Sequence, residues 1–217
     1  MKIALLGKGK TGSKILDLRS DVTVFDSKNK PTSGKLQGHE VIISFLPGET
    51  FYELIPMLLE TGIPVVTGST GFHWPSNIDQ ILKEKNAGWI YASNFSIGVF
   101  VIKQLMQTIS KYASLFENKK ISIHEIHHTQ KKDAPSGTAL SMRDWLNLNA
   151  EMSSERTGDV IGFHEMTLDT GSEKIKISHE ALDRKLFAQG AIWAAEYLVK
   201  NKTSGLHSFQ SIIERSL

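Results

Sequence analysis

The first half of the chain alternates short apolar runs with helix-like stretches, and this alternation restricts the fold more than any other feature of the sequence. Strands that are joined through helical crossovers form a parallel sheet with helices on its faces. We therefore predict an α/β fold built on a doubly wound parallel sheet. The expected strands are five apolar runs: Lys2–Leu6, Val22–Phe25, Val41–Leu46, Ile63–Thr67 and Trp89–Ala92.

Two of the intervening helices have recognisable start signals. Thr50 and Glu53 have the spacing of a capping box, and Gly62 follows the apolar stripe after them. Ser76 stands three residues before Asp79 in the same arrangement. The sequence therefore predicts one helix capped by Thr50 and another capped by Ser76.

After Asn94 the regular alternation stops, which predicts a second, smaller unit of the α+β class. Helical and strand-like patterns now follow one another without a regular βα rhythm. We expect helices at Val99–Phe116, Gly137–Asn149, Phe187–Lys200 and Phe209–Ile213, and strands at Ile121–His128, Val160–Leu168 and Lys174–His179.

Composition excludes several functional classes. The 25 Lys and Arg residues nearly balance the 23 Asp and Glu residues, so neither a dedicated nucleic-acid surface nor a polybasic membrane surface is expected. The chain has no cysteine, which excludes disulfides, thiolate metal sites and a cysteine nucleophile. No apolar stretch reaches the roughly 18 residues of a membrane span, and we expect a soluble, unprocessed protein.

A glycine fingerprint follows the first expected strand. Gly7, Gly9 and Gly12 form G-x-G-x-x-G, and Asp26 ends the second strand. Such glycines allow a pyrophosphate to approach a helix N-terminus, and the acid can bind the adenosine ribose, so we predict a Rossmann-like nucleotide domain. The alternative is a glycine-rich turn with a surface aspartate. Asp26 favours NADH, but Lys28 and Lys30 offset its charge, so the cofactor is NADH or NADPH.

Small residues follow two further strands, where ligands of open parallel sheets collect. Each of these loops, taken alone, is equally an ordinary turn. Together with the glycine turn, the acid after the second strand and Phe45 in the third, they make up the candidate cofactor site, which consists of Gly7, Lys8, Gly9, Lys10, Thr11, Gly12, Asp26, Phe45, Gly68, Ser69, Thr70, Ala92, Ser93, Asn94 and Phe95.

Three histidines stand close together between Ile121 and Ala139. On a helix, His124, His127 and His128 would share a face and could chelate a metal, but the isoleucines around them favour a strand, on which His127 points away from the other two. We therefore predict no metal. On that strand Glu125 and His127 share a face, so the carboxylate can orient the imidazole and hold its proton. His127 is then a candidate proton donor, and a purely structural Glu–His pair is the alternative.

An anion pocket is predicted a few residues later. Ser136 is the expected N-cap of a helix whose first free N–H groups belong to Gly137, Thr138 and Ala139. Lys131 is close enough in sequence to add a full positive charge. A carboxylate or a phosphate suits such a pocket.

This segment resembles the dihydrodipicolinate reductase family, whose motif is E-x-H-H-x-x-K-x-D-A-P-S-G-T-A. The residues Glu125, His127, His128, Lys131 and 133–139 match every fixed position. The resemblance extends to 68–71, to Asn94–Phe95–Ser96 with Gly98–Val99, and to the C-terminal residues Gly162, His164, His179, Ala181, Arg184, Phe187, Ala188, Gly190 and Ala191. Gly9–Lys10–Thr11–Gly12 and Ser44–Phe45–Leu46 depart from the usual G-R-M-G and D-F-T.

The resemblance implies an NADH- or NADPH-dependent oxidoreductase that reduces 4-hydroxy-tetrahydrodipicolinate to tetrahydrodipicolinate in the diaminopimelate route to lysine. It implies catalysis by His127 as general acid, with Lys131 stabilising the developing charge. The small cyclic dicarboxylate would bind His128, Lys131, Ser136, Gly137 and Thr138. The alternatives are another NAD(P)-dependent reductase of a small carboxylate and a non-catalytic NAD-sensing protein.

The resemblance also implies how the chain is organised. We expect a dinucleotide-binding domain over residues 1–96, onto which residues 185–217 fold back. Residues 97–184 would form the substrate-binding and oligomerisation domain. Members of the family are expected in the cytoplasm as homotetramers that assemble through the sheets of the second domain.

Overall fold

The computed structural model describes residues 1–217, which divide into two compact units. The first unit consists of residues 1–95 together with residues 184–217, and the second consists of residues 96–183. No helix of the structure is both long enough and apolar enough to cross a membrane.

The first unit contains a six-stranded sheet in which every neighbouring pair is parallel. The order β10-β5-β4-β3-β1-β2 places the crossover point between β1 and β3. This arrangement confirms the predicted doubly wound parallel sheet, and ligands of such sheets bind at the carboxyl ends of the strands beside the crossover. The strands are β1 Ile3–Leu6, β2 Val22–Phe25, β3 Val41–Ser44, β4 Val65–Thr67, β5 Gly88–Tyr91 and β10 Gly205–Ser208.

Helices cover this sheet. The C-terminal segment, residues 184–217, returns to it, because α7 packs against α1 and against the central strands, while β10 adds a strand beside β5. Most apolar side chains of the sheet are buried, and Trp89 of β5 lies in the same apolar cluster as the helical residues Phe51 and Leu58. The helices are α1 Gly12–Leu18, α2 Ser33–Leu36, α3 Gly48–Thr61, α4 Ile78–Glu84, α7 Lys185–Asn201 and α8 Phe209–Ser216.

Both predicted helix caps in this unit are wrong. Helix α3 begins at Gly48 after Pro47, two residues before Thr50, where the backbone packs tightly: a Cβ on Gly48 would lie 2.0 Å from the Thr70 carbonyl oxygen. Helix α4 begins at Ile78, and Asn77 rather than Ser76 stands at its N-cap. The sequence showed the correct spacing of polar residues, but tertiary packing decides where each helix begins.

The second unit contains a four-stranded sheet in the order β7-β6-β8-β9, with β6 and β7 parallel and the other pairs antiparallel. Two helices cover its apolar face, which confirms the α+β class. The elements are α5 Ile97–Tyr112, followed by a 3-10 turn at Ala113–Leu115, β6 Lys120–His127, α6 Gly137–Leu146, β7 Glu151–Arg156, β8 Gly162–Asp169 and β9 Lys174–Ala181.

Strand β7 was not predicted, because its sequence EMSSER is polar and has no apolar periodicity. Its position at the edge of the sheet explains this composition, since most of its side chains face solvent. The strand nevertheless places Arg156 directly beside His127 across the parallel pair.

The register of the second sheet brings titratable side chains together at one end of its buried face. Along β6 the buried side chains are Ile121, Ile123, Glu125 and His127, so the face changes from apolar to polar within eight residues. Glu125 is paired with His164 on β8. Three polar side chains from two strands therefore meet beside the apolar core.

Candidate active site

The glycine turn after β1 has the geometry that the fingerprint predicts. Gly7 has a φ of +91°, a conformation that side chains rarely adopt. A Cβ on Gly12 would lie 2.1 Å from the Gly7 carbonyl oxygen, so only glycine lets the turn close. A Cβ on Gly9 would meet no atom within 4 Å, which leaves open space beside the exposed Lys8 and Lys10. This turn is therefore a cradle that a phosphate group can enter.

Asp26 follows β2 and organises its own turn. Its Oδ1 accepts hydrogen bonds from the backbone N–H groups of Lys28 (2.8 Å) and Asn29 (3.0 Å). These two hydrogen bonds, with lesser help from nearby lysines, lower the pKa of the Asp26 carboxyl. The residue is thus a turn-forming aspartate that is ionised at neutral pH, and it also stands where a ribose is expected.

A cavity of ≈ 200 Å³ opens at the carboxyl ends of the strands in the first unit. Gly68 is required there, because a Cβ on it would lie 2.6 Å from the Phe45 ring. Phe187 of α7 also lines the cavity but was not among the predicted site residues, although its motif had been recognised. Seven predicted residues line this cavity: Thr11, Phe45, Gly68, Ala92, Ser93, Asn94 and Phe95.

Ser69 and Thr70 do not line this cavity. Ser69 is buried, its N–H donates to Thr67 Oγ1 at 3.1 Å, and its Oγ lies 3.4 Å from Ser44 Oγ. The Thr70 carbonyl packs against Gly48 at the start of α3. These two residues support the loop from within.

In the second unit, Glu125 and His127 form the contact that strand alternation predicts. Glu125 Oε2 lies 3.2 Å from His127 Nδ1, and both side chains are buried. The two atoms are within ion-pair distance but are not aligned for a good hydrogen bond. The carboxylate therefore faces one ring nitrogen and leaves Nε2 to point towards Gly162, where a Cβ would lie 3.1 Å away.

The pKa of His127 is lowered from its ordinary value of 6.5. Burial is the largest cause; Glu125 and Asp133 act in the opposite direction, while Lys131 and Arg156 lower the pKa further. Glu125 does favour the protonated ring, as expected from the sequence, but in the free protein burial outweighs it.

The Glu125 carboxylate is held by donors from two other segments. Its Oε1 accepts from Arg156 Nη2 on β7 at 2.8 Å and from the Ser136 N–H at 3.0 Å. Burial acts to raise the pKa of this carboxyl, but hydrogen bonds from Ser136, Arg156 and Ser154 lower it to about 2. Glu125 is therefore a buried carboxylate that stays ionised.

His164 completes the cluster and was missed as a site residue. Its ring packs edge-on against that of His127, with the centroids 5.0 Å apart, and its Nε2 lies 3.2 Å from Ser136 Oγ. Burial, followed by the neighbouring His127, lowers the pKa of His164 to about 4. Only its position in the recognised G-x-H motif could have indicated it, because 39 residues separate it from Glu125 in sequence.

Glu125, His127 and His164 each offer a ligand atom within 4.8 Å of the others, which is close enough to consider a metal. The carboxylate is already bound by the Arg156 guanidinium and the Ser136 N–H, so a positive charge stands beside it. We assign no metal here. The three histidines considered from the sequence do not converge either, because His124 lies on the other face, with its Nδ1 2.8 Å from Ser153 Oγ.

The predicted helix cap of the second unit is confirmed. Ser136 precedes α6, and its Oγ accepts from the Ala139 N–H at 3.2 Å. Gly137 is exposed and Thr138 half-buried, at the positive end of a ten-residue helix. The N-cap of α6 thus contacts the Glu125–His127 pair, because the Ser136 N–H donates to the Glu125 carboxylate.

Lys131 and His128 lie in the loop between β6 and α6. Lys131 Nζ is 2.8 Å from each Asp133 oxygen, an ion pair that lowers the pKa of the Asp133 carboxyl. His128 is half-buried immediately after β6 ends, and its carbonyl accepts from the Lys131 N–H. The loop therefore holds the lysine near the strand through a tight turn and a paired aspartate.

Comparison with known proteins agrees with this geometry. Residues 98–213 match the family model described as dihydrodipicolinate reductase, C-terminus. A 4-hydroxy-tetrahydrodipicolinate reductase of Christiangramia forsetii is 34% identical over 98% of both chains. One of Thermosipho africanus is 31% identical over 100% of this chain and 99% of its own.

A solved structure has the same fold. The dipicolinate-bound dihydrodipicolinate reductase from Paenisporosarcina sp. TG-14 aligns with a TM-score of 0.74 and 20% identity, over 97% of this chain and 98% of the other. The two folds therefore match over nearly the whole of both chains. With the family model and the full-length relatives, these findings show that the chain belongs to the dihydrodipicolinate reductase family of NAD(P)H-dependent oxidoreductases.

Proposed function

We propose that the protein reduces 4-hydroxy-tetrahydrodipicolinate to tetrahydrodipicolinate with NADH or NADPH, in the diaminopimelate route to lysine. One observation carries this proposal beyond family membership. The Glu125–His127 pair lies against the start of α6, because the Ser136 N–H that precedes the helix donates to the Glu125 carboxylate. A proton donor and a carboxylate-binding helix start thus belong to one connected cluster.

The first unit binds the dinucleotide. The glycine turn fits this cofactor, since Gly7 needs a positive φ, Gly12 excludes any side chain and Gly9 faces open space. The cavity lined by Phe45, Gly68 and Asn94 suits the nicotinamide half. Asp26 suits the adenosine ribose, and its negative charge supports the use of NADH at least as well as NADPH.

The second unit binds the cyclic dicarboxylate. One carboxylate lies against the N–H groups of Gly137 and Thr138 at the start of α6, and the Ser136 side chain shapes this pocket as the helix cap. Lys131 and His128 stand on the loop that leads into the helix and add a positive charge and a polar ring. Lys131 must leave Asp133, or share its charge, when the substrate arrives.

His127 supplies the proton that the reaction requires. Loss of the 4-hydroxyl group as water leaves an unsaturated imine conjugate, and the hydride that a bound reduced nicotinamide would supply leaves a negative charge on that conjugate. His127 protonates that charge and Lys131 stabilises it. A bound dianion favours the charged imidazole, so substrate binding raises the pKa of His127 from its lowered value in the free protein.

Three finer statements also belong to this proposal. Residues 1–96 with 185–217 act as the nucleotide domain, and residues 97–184 act as the substrate and oligomerisation domain. The protein is a homotetramer that assembles through its four-stranded sheets, whose edge strands β7 and β9 each have an unpaired side. It is located in the cytoplasm, as the family resemblance implies.

The deciding experiment follows nicotinamide absorbance with freshly generated substrate, using NADH and NADPH in turn. We expect turnover that requires the cyclic substrate. Turnover with a different small carboxylate instead would identify another reductase. A protein that binds NADH but turns over neither substrate, and whose binding is indifferent to substitution of His127 and Lys131, would be a nicotinamide sensor.

A further inference from the structure

Arg156 joins three separate segments of the second unit. It is the last residue of β7, and its guanidinium Nη2 donates both to Glu125 Oε1 at 2.8 Å and to the Asp133 carbonyl oxygen at 2.5 Å. Its side chain is 18% exposed, so most of the charge is removed from water. One planar group therefore connects the edge strand, the central strand and the loop that leads to α6.

The backbone reinforces this arrangement. Beyond Arg156, the Thr157 N–H donates to the His127 carbonyl at 2.9 Å, and the Thr129 N–H donates to the Gly158 carbonyl at 3.3 Å. The chain that follows β7 thus runs beside the proposed proton donor. These hydrogen bonds tie the residues after Arg156 to His127 itself and to Thr129, two residues further along the chain.

We propose that Arg156 is a positioning residue for the reduction: it holds the Glu125 carboxylate against His127 and the Asp133 carbonyl in the loop before α6, and so fixes the proton donor and the anion pocket together. This inference rests on the proposed function. A buried ion pair contributes little net stability compared with well-packed apolar side chains, so holding the strand edge alone does not require an arginine. The planar guanidinium fixes the directions of the two Nη2–H bonds, one of which meets Glu125 and the other the Asp133 carbonyl.

The charge of Arg156 has a second consequence, which separates positioning from simple scaffolding. The groups that face His127 are Glu125 on β6, Lys131 and Asp133 in the following loop, Arg156 on β7 and His164 on β8. Arg156 lowers the pKa of His127, whereas Glu125 raises it. Removal of the Arg156 charge leaves the Glu125 carboxylate less neutralised. We therefore expect the pKa of His127 to rise.

Three variants test the proposal in the full-length protein. Arg156→Gln removes the charge; we expect KM for the dicarboxylate to rise about tenfold, the loss typical of one charge-assisted hydrogen bond. We also expect the alkaline limb of the rate profile to move to higher pH. Arg156→Lys keeps the positive charge but loses the planar guanidinium. We therefore expect KM to rise while the alkaline limb of the rate profile stays at its wild-type pH. Arg143→Gln is the matched control, because Arg143 and its partner Asp144 are both exposed residues of α6.

NMR titration of the His127 imidazole gives its pKa without turnover, so this measurement remains valid even if the proposed activity is absent. A higher pKa in Arg156→Gln than in the wild type supports the proposal, and an unchanged one overturns it. If Arg156→Gln fails to fold, Arg156→Lys decides the question. A raised KM at unchanged His127 pKa then supports positioning, whereas wild-type values of KM and of the rate profile overturn it.

Discussion

Glu125 Oε2 and His127 Nδ1 lie 3.2 Å apart on the buried face of one strand, two residues from each other in the chain. The carboxylate is ionised because Arg156 and the Ser136 N–H hold it, although both members of the pair are buried. The fixed negative charge of Glu125 beside Nδ1 keeps the imidazole oriented and leaves Nε2 available for proton transfer.

His127 and its neighbour should fail in different ways when they are substituted. His127→Gln removes the proton donor, so we expect kcat to fall by about 100- to 10,000-fold with little change in KM. His128→Gln should mainly raise KM, because His128 lies beyond the end of β6 and off the face that Glu125 shares with His127. Steady-state kinetics separates the two. A near-normal kcat in His127→Gln would show that Lys131 or a bound water, and not His127, is the general acid.

The pH dependence of kcat/KM should report the free protein's lowered pKa for His127. Because only the protonated ring donates, kcat/KM falls as pH rises through a pKa below 6.5. Glu125→Gln removes the negative charge that favours the imidazolium, so the alkaline limb of the kcat/KM profile should move to still lower pH. Circular dichroism checks that this variant is folded. A limb that stays in place in folded Glu125→Gln would mean that another group controls it.

Stability should fall as pH falls, because His164 is buried as a neutral ring. Its pKa of about 4 lies below the ordinary 6.5, so the stabilisation is complete above pH 6.5 and is lost as pH falls towards 4. The lowered pKa of His164 sets an upper limit of about 3 kcal/mol on the free energy of unfolding that is lost over this pH range. Urea unfolding at neutral pH and at about pH 4 measures it. His164→Gln should flatten this dependence, while His124→Gln, at a half-buried residue on the other face of the same sheet, should not.

Cofactor preference should depend on the charge of Asp26. Asp26→Asn keeps the oxygen that accepts from Lys28 and Asn29 but removes the negative charge. We expect the NADPH-to-NADH ratio of kcat/KM to rise about tenfold, which corresponds to about 1.4 kcal/mol. Asp17→Asn, at an exposed ion pair on α1, is the control. A wild-type enzyme that already prefers NADPH tenfold would show that the lysines outweigh Asp26.

Pyridine-2,6-dicarboxylate should compete with the substrate, because it presents two carboxylates on a planar ring. Thr138→Val combined with Lys131→Ala should raise its inhibition constant at least about tenfold. Lys132→Ala, at the exposed neighbouring residue, should leave inhibition unchanged. Undiminished inhibition of the double variant would place the anion site elsewhere.

Local patterns in the sequence determined the parallel sheet, the cap at Ser136 and the shared face of Glu125 and His127. Each of these follows from an alternation or a spacing of a few residues, and such local rules operate wherever the segment is placed. The glycine turn is of the same kind, because Gly7 and Gly12 meet within one loop. The motifs also identified the family.

Only the tertiary structure decided what surrounds that shared face. Arg156 lies on a polar edge strand that has no periodicity to reveal it, and His164 reaches Glu125 only through the β6–β8 register. The pKa of His127 was expected to reflect Glu125, but burial and the facing cations lower it instead. Burial and long-range charge depend on residues far apart in the chain, so a local pattern contains no information about them.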